Sequence, residues 1–184
     1  MNVLTDAYYI EKIQNGETEC FGFLLERYSQ SVFSLIVKIV GNREDAEELT
    51  QDVFLKVFRS LQSFQGNSLF STWLYRIAYN TAISASRKKK YEWLVIEESM
   101  IENVPENVMS DEVEQLTREE QLSRLEKAIE QILPDERALV SFFYMQEKAV
   151  DEIATITGLS TSNVKTKLHR IRKKIFILMK MMEQ

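Results

Sequence analysis

What this chain has little of is the first guide to it. It has one cysteine, Cys20, so an internal disulfide is excluded and a reducing compartment, the cytoplasm, is expected. Next to Phe21, Cys20 reads as a small buried apolar residue rather than a reactive thiol. There is one histidine, His169, and no partner for it at metal-ligand spacing. No serine–histidine arrangement and no glycine-rich phosphate loop occurs. Neither catalytic residues nor a metal nor a cofactor is therefore expected. No apolar run approaches the roughly 20 residues of a membrane span. The start, MNVLTDAYYI, lacks the basic patch and apolar core of a secretory signal. With five glycines and two prolines in 184 residues, few positions break a helix. The expectation is an all-α chain of one or two small domains.

Charge is scarce in one sign locally, not globally. The net charge of −5 is mild, but it is segregated along the chain. Tyr91 to Gln121 carries Glu92, Glu97, Glu98, Glu102, Glu106, Asp111, Glu112, Glu114, Glu119 and Glu120 against Arg118 alone. Asn163 to Lys180 carries Lys165, Lys167, Arg170, Arg172, Lys173, Lys174 and Lys180 with no acid. A basic stretch of this kind suits a polyanion even in an acidic chain.

The pattern along the chain predicts a short helix over Thr5–Gln14 and a longer one over Glu19–Val40. The apolar positions of the second are Phe21, Leu25, Tyr28, Val32, Leu35 and Ile39. Gly41 is placed to end it, and Asn42 to cap a third helix running to Ser60. Leu49, Val53, Val57 and Leu61 form that helix's buried stripe, with Phe54 and Phe58 widening it. Glu48, Gln51, Asp52, Lys56 and Arg59 are left for its surface. Phe64–Ser71, FQGNSLFS, is a turn-forming break. A helix then resumes, burying Phe70, Leu74, Ile77, Ala78 and Thr81 and turning Thr72, Arg76, Tyr79, Asn80 and Arg87 outward. Ile83 falls on that polar face without explanation, and Trp73 reads as core. Aromatic rings, amides and cations sharing a surface suit single-stranded nucleic acid. The acidic stretch 91–121 reads as a linker, partly helical after Ser110. Helices follow from Leu122 and from Asp135 to Met145, the latter burying Leu139, Phe142 and Phe143, with Pro134 in its first turn.

Val150 to Lys174, VDEIATITGLSTSNVKTKLHRIRKK, organises the C-terminal part. Asp151 and Glu152 suit a helix start, Gly158 a left-handed stop, and Ser160 the cap of the next helix. Val164, Leu168, Ile171, Ile175 and Leu178 form one apolar stripe. Ser162, Thr166, His169, Arg170 and Lys173 project opposite. This is the helix-turn-helix pattern, whose second helix enters the DNA major groove.

Several blocks carry a family likeness: REDAEELTQDVFLKVF from Arg43, SFQGNSLFSTWLYRIAYN from Ser63, then LPDERALVSFFY, DEIATITGLS and VKTKLHRIRKK. Together, in this order, they resemble the extracytoplasmic-function group of bacterial sigma factors. The resemblance implies three parts: residues 1–90 for core polymerase and the −10 element, an acidic linker over 91–121, and a helix-turn-helix domain over 122–184 for the −35 element. It implies that Glu48, Gln51, Asp52, Lys56 and Arg59 grip the clamp helices of the largest polymerase subunit. It implies that the loop Phe64–Phe70 holds a flipped base of the −10 strand. Phe64, Asn67, Ser68, Phe70, Thr72, Tyr75, Arg76, Tyr79, Asn80, Arg87 and Lys88 are its −10 candidates. Ser160, Thr161, Ser162, Asn163, Lys165, Thr166, His169, Arg170 and Lys173 are its −35 candidates. The linker resembles the segment that threads the RNA-exit path. The partners implied are core RNA polymerase, including its flap, promoter DNA and an anti-sigma factor. The alternatives are a stand-alone helix-turn-helix regulator, which has no use for a base-holding loop, and a partner-binding adaptor, against which the basic recognition helix speaks.

Overall fold

The computed structural model describes residues 5–88, 96, 98–105 and 117–182. All the regular elements among them are helical. The chain divides into two compact units, one of Met1–Lys88 with Ala154–Gly158 and one of Lys89–Ile153 with Leu159–Gln184.

In the first unit, α1 (Asp6–Gln14) is capped by Thr5, whose hydroxyl oxygen accepts from the Tyr8 N–H. A 3-10 turn over Thr18–Cys20 leads into α2 (Phe21–Val40). Gly41 ends α2 at φ 72°, a left-handed conformation that a side chain would strain. The Asn42 side-chain oxygen accepts from the Asp45 N–H at 2.9 Å and opens α3 (Arg43–Ser60). A further 3-10 turn, Leu61–Ser63, precedes the loop, and α4 runs from Phe70 to Lys88. The central element is α2, which packs on α1, α3 and α4. Because it meets partners on more than one side, its buried set is broader than the expected stripe. Leu24 and Ile36 are buried as well as Val32, Leu35 and Ile39, while Leu25, expected inside, is exposed. Each such buried leucine or isoleucine contributes about 1.5–3 kcal/mol. The Asp6 carboxylate accepts from the Arg27 guanidinium and, at 2.5 Å, from the Tyr28 hydroxyl, fastening α1 to α2. Burial first, and then that bond to Asp6, hold the Tyr28 phenol above its ordinary pKa, so its proton stays in the bond.

The linker expected over 91–121 lies largely outside the described residues, as do Lys89 and Lys90; of its part after Ser110, expected to be partly helical, residues 117–121 are described and Arg118–Gln121 are helical. Its described part holds the short α5 (Glu98–Glu102), with Ile101 buried. Next comes α6 (Arg118–Gln131), opened by a reciprocal capping box between Thr117 and Glu120. Pro134 occupies the first turn of α7 (Pro134–Val140). That helix continues into a widened π turn, Ser141–Met145. The extra residue in this turn puts Phe142 inside and leaves Phe143, expected in the core, 36% exposed. Then come α8 (Val150–Thr157) and α9 (Thr161–Met181). Between them Gly158 lies at φ 75°, and its N–H donates to the Ala154 carbonyl at 2.9 Å. The Ser160 hydroxyl accepts from the Asn163 N–H at 3.2 Å, as the capping pattern predicts.

The long α9 packs on α5, α6 and α7. Lys174, 10% exposed, reaches Glu136, 15% exposed, at 2.9 Å. The same carboxylate accepts the Leu133 N–H at 2.9 Å, so one side chain both starts α7 and moors α9. Glu136→Ala strands a buried ammonium and should destabilise this unit by about 3 kcal/mol or more. Chemical denaturation followed by circular dichroism measures it; an unchanged midpoint would show the pair to be dispensable.

Candidate nucleic-acid interface

The loop 64–69 is held from behind by amides. The Gln14 side-chain nitrogen, at the end of α1, donates to the Leu61 carbonyl at 3.0 Å and the Phe64 carbonyl at 3.1 Å. Gln62 returns the contact, donating to the Ile13 carbonyl at 3.3 Å. In front, the rings of Phe64, Phe70 and Trp73 cluster, with centroids 4.9 Å apart for Phe64 and Trp73, and Tyr28 lies edge-on to Phe70. These rings hold the two ends of the loop together. Gly66 takes φ 69° at its tip. Gln65, Asn67 and Ser68 are exposed, and Leu69 is 71% exposed. Between the loop and α1 lies a hollow of about 540 Å³ lined by Asp6, Ile10, Glu11, Gln14, Phe64, Gly66, Ser68 and Phe70 among others.

The expected polar face of α4 is narrower than the spacing implied. Thr72 and Tyr75 are each only 6% exposed, and Ile83 is buried too. At about 100° per residue, the buried positions of α4 fill more than half its circumference. Ile83 and Thr72 sit at one margin of that arc, which removes the puzzle of Ile83. What remains outward is a stripe of Arg76, Asn80, Ser84 and Arg87, with Lys88 exposed at the end and Tyr79 half-buried. Trp73, which the spacing assigned to the core, is half-buried and lies between the loop and this stripe. Phe70 is buried within the ring cluster, so it shapes the loop and offers no free face. Phe64 is half-buried in the same cluster.

On α3, Glu48, Gln51, Asp52, Lys56 and Arg59 are all exposed. Lys56 donates to the Thr81 hydroxyl at 3.1 Å, which ties it toward α4. Two apolar residues join this face. Leu55 is 51% exposed and Phe58 is also exposed. By the same helical arithmetic, Leu55 lies in the middle of Glu48, Gln51, Asp52 and Arg59. Sequence reasoning missed it, although its phase against the buried Val53 and Val57 was the available signal. Phe58, expected to widen the core stripe, instead meets Phe21 edge-on at 5.0 Å on the outside.

In the helix pair, Ser162, Asn163, Lys165, Thr166 and Arg170 are exposed, and His169 and Lys173 are half-buried on the same side. Ser160 and Thr161 serve the scaffold. The first caps α9, and the hydroxyl of the second donates to Asp151 at 3.2 Å, bracing α8 against α9. Lys167 turns away to Asp135 at 3.1 Å. The outward side of α9 thus offers hydroxyls, an amide and cations in one row, the donor set that reads base edges and phosphates. Elsewhere in this unit, Leu122, Leu125, Ile129, Tyr144, Met145 and Phe176 line an apolar groove of about 590 Å³ with Arg118 and Arg172 at its rim. No cluster of metal-ligating residues occurs among the described residues, and no described helix is long and apolar enough to cross a membrane.

Comparison with known proteins gives the family of the two matched regions. The family model described as Sigma-70 region 2 matches residues 24–91, and that described as Sigma-70, region 4 matches residues 122–175. The chain is 31% identical to the ECF RNA polymerase sigma-E factor of Escherichia coli strain K12, over 94% of this chain and 93% of that one. It is 28% identical to the ECF RNA polymerase sigma factor SigW of Bacillus subtilis strain 168, over 89% and 91%. Among solved structures, CnrH in complex with the cytosolic domain of CnrY shares the fold, with a TM-score of 0.67, 19% identity and coverage of 96% and 97%.

Proposed function

Because this chain belongs to the extracytoplasmic-function group of the sigma-70 family, we propose that each of its exposed surfaces carries one step of promoter-directed initiation with core RNA polymerase. The observation that carries this reading is a division of labour. One unit presents a ring-based loop beside a cationic, amide-bearing stripe, and the capped helix pair presents a donor row suited to duplex DNA. A stand-alone regulator needs only the second.

In this reading α9 enters the major groove of the −35 element, with Asn163, Lys165, Thr166 and Arg170 nearest the bases and phosphates. Arg76, Asn80 and Arg87 track the −10 strand, and the loop 64–69 takes an unstacked base. Unstacking costs roughly a few kcal/mol, and stacking on an aromatic surface offsets about 1–3 kcal/mol per base. Neither contact is strong alone. Polymerase fixes the distance between them, so the second contact forms at high effective concentration. The α3 face around Leu55 docks on the clamp helices, and the groove lined by Leu125, Tyr144 and Phe176 receives the polymerase flap. The residues 1–90, 91–121 and 122–184 then act as −10 domain, linker and −35 domain. An anti-sigma factor competing for these surfaces fits the same reading, since solved structures of similar fold hold sigma factors with such partners. The chain contributes binding and strand separation, works where polymerase works, in the cytoplasm, and performs no bond chemistry of its own.

The test is transcription in vitro with sigma-free core polymerase and genomic DNA. The expected result is initiation at a discrete set of start sites, with a shared −35 and −10 spacing, only when this chain is added. Tight operator-like binding by the free chain without initiation would favour the stand-alone regulator.

A further inference from the structure

From the amides that join α1 to the base of the loop, we infer that Gln14 and Gln62 are positioning residues for capture of the −10 strand, and that α1 is a working part of that site. The inference rests on the base-capture reading above and extends it to a segment that the matched family region, residues 24–91, does not include.

The geometry is specific. A primary amide has two N–H donors, enough for both of Gln14's bonds, which go to backbone carbonyls at the base of the loop, those of Leu61 and Phe64. These two carbonyls bracket the 3-10 turn Leu61–Ser63, the last regular structure before the loop. Gln62, inside that turn, donates in the reverse direction to Ile13, one residue before Gln14. Two amides thus form a reciprocal clasp across a joint about 50 residues apart in sequence, close to the separations of 47 to 50 between the bonded partners. The loop beyond Phe64 has little else behind it. Its tip residues are exposed, and its far end is set by the ring cluster. The hollow in front of the clasp is walled by α1 on one side and the loop on the other. A shift of α1 therefore changes the width of the space into which a base would enter. Preorganisation of this sort costs nothing at the moment of binding, whereas a loop that must be ordered on contact weakens capture.

Gln14→Met keeps length and helix propensity but cannot donate. Gln14→Glu keeps shape but faces two carbonyl oxygens with a carboxylate. Gln62→Met opens the clasp from its other end. Each is assembled into holoenzyme with core polymerase and measured for three affinities: for core, for a −35 duplex fragment, and for a single-stranded −10 oligonucleotide from a promoter the wild-type holoenzyme uses. The expected result is loss of −10 strand affinity by about tenfold for each methionine variant, more for Gln14→Glu, with core and −35 affinities within about twofold. Equal losses in all three affinities would mean a general folding defect and overturn the inference. Unchanged −10 affinity in both methionine variants would overturn it too, leaving base capture intact. If the wild-type holoenzyme did not prefer the −10 strand over a scrambled one, base capture itself would fail, and the clasp with it.

Discussion

Replacing Leu55 with aspartate should weaken the affinity of this chain for core polymerase by about a hundredfold. Leu55 stands half in solvent on α3, so the fold should tolerate its replacement better than that of the buried Val53 or Val57. Around it lie Glu48, Gln51, Asp52 and Arg59, all exposed. A central apolar side chain ringed by polar ones is the arrangement in which few residues carry most of an interface's energy. Aspartate there must be desolvated against the partner without a counter-charge. Removing the rim charges instead, with Asp52→Ala and Arg59→Ala together, should act mainly on the association rate and its salt dependence. Competition for core against a labelled reference factor, with thermal unfolding as a control, separates these effects. Near-normal core affinity of the Leu55→Asp chain, with the fold intact, would remove the docking role from α3.

The second large effect is expected on α4. Arg76→Ala combined with Asn80→Ala should cut the extent of promoter opening by about a hundredfold, since a charged and an amide contact are lost on one strand. Binding to a −35 duplex should stay within about twofold. Thr72→Val and Tyr75→Phe make the sharper comparison. Both residues were expected on the DNA-facing side, and both are buried. Their variants should leave strand binding close to normal at temperatures where the fold holds. Permanganate reactivity of unpaired thymines in the −10 region reads the opening directly. Full opening by the Arg76/Asn80 double variant would mean that the strand passes elsewhere.

Much of this was legible in the residues. Gly41, Asn42, Gly158 and Ser160 name helix ends because left-handed backbone and unpaired N–H groups admit few side chains. Pro134 names a first turn for a similar reason. The stripe Val164, Leu168, Ile171 is buried as its spacing demands, because α9 meets its neighbours along one side. Two of the failures share a cause: periodicity assigns one buried face per helix. The central α2 is covered on several sides, so Leu24 and Leu25 exchange the places expected of them. The buried arc of α4 exceeds half a turn and takes in Thr72, Tyr75 and Ile83. Nothing local marked Gln14, because an amide on a short helix has no partner until residues 61–64 arrive beside it. Leu55 was the one missed residue whose phase was readable.

The widened turn at Ser141–Met145 has an implication for how this chain tolerates change. The Gln146 N–H donates to the Ser141 carbonyl, five residues back, at 3.0 Å. One surplus residue is thus stored in the coil, and it lets Phe143, Tyr144 and Met145 follow one another outward while Phe142 points in. Excising a single residue there would restore ordinary winding and rotate the three side chains by about 100°. Tyr144 and Met145 would then turn away from the apolar groove they line. A one-residue deletion in that turn is therefore expected to change which side chains the groove presents, a change that binding of an apolar dye to the purified variant would measure.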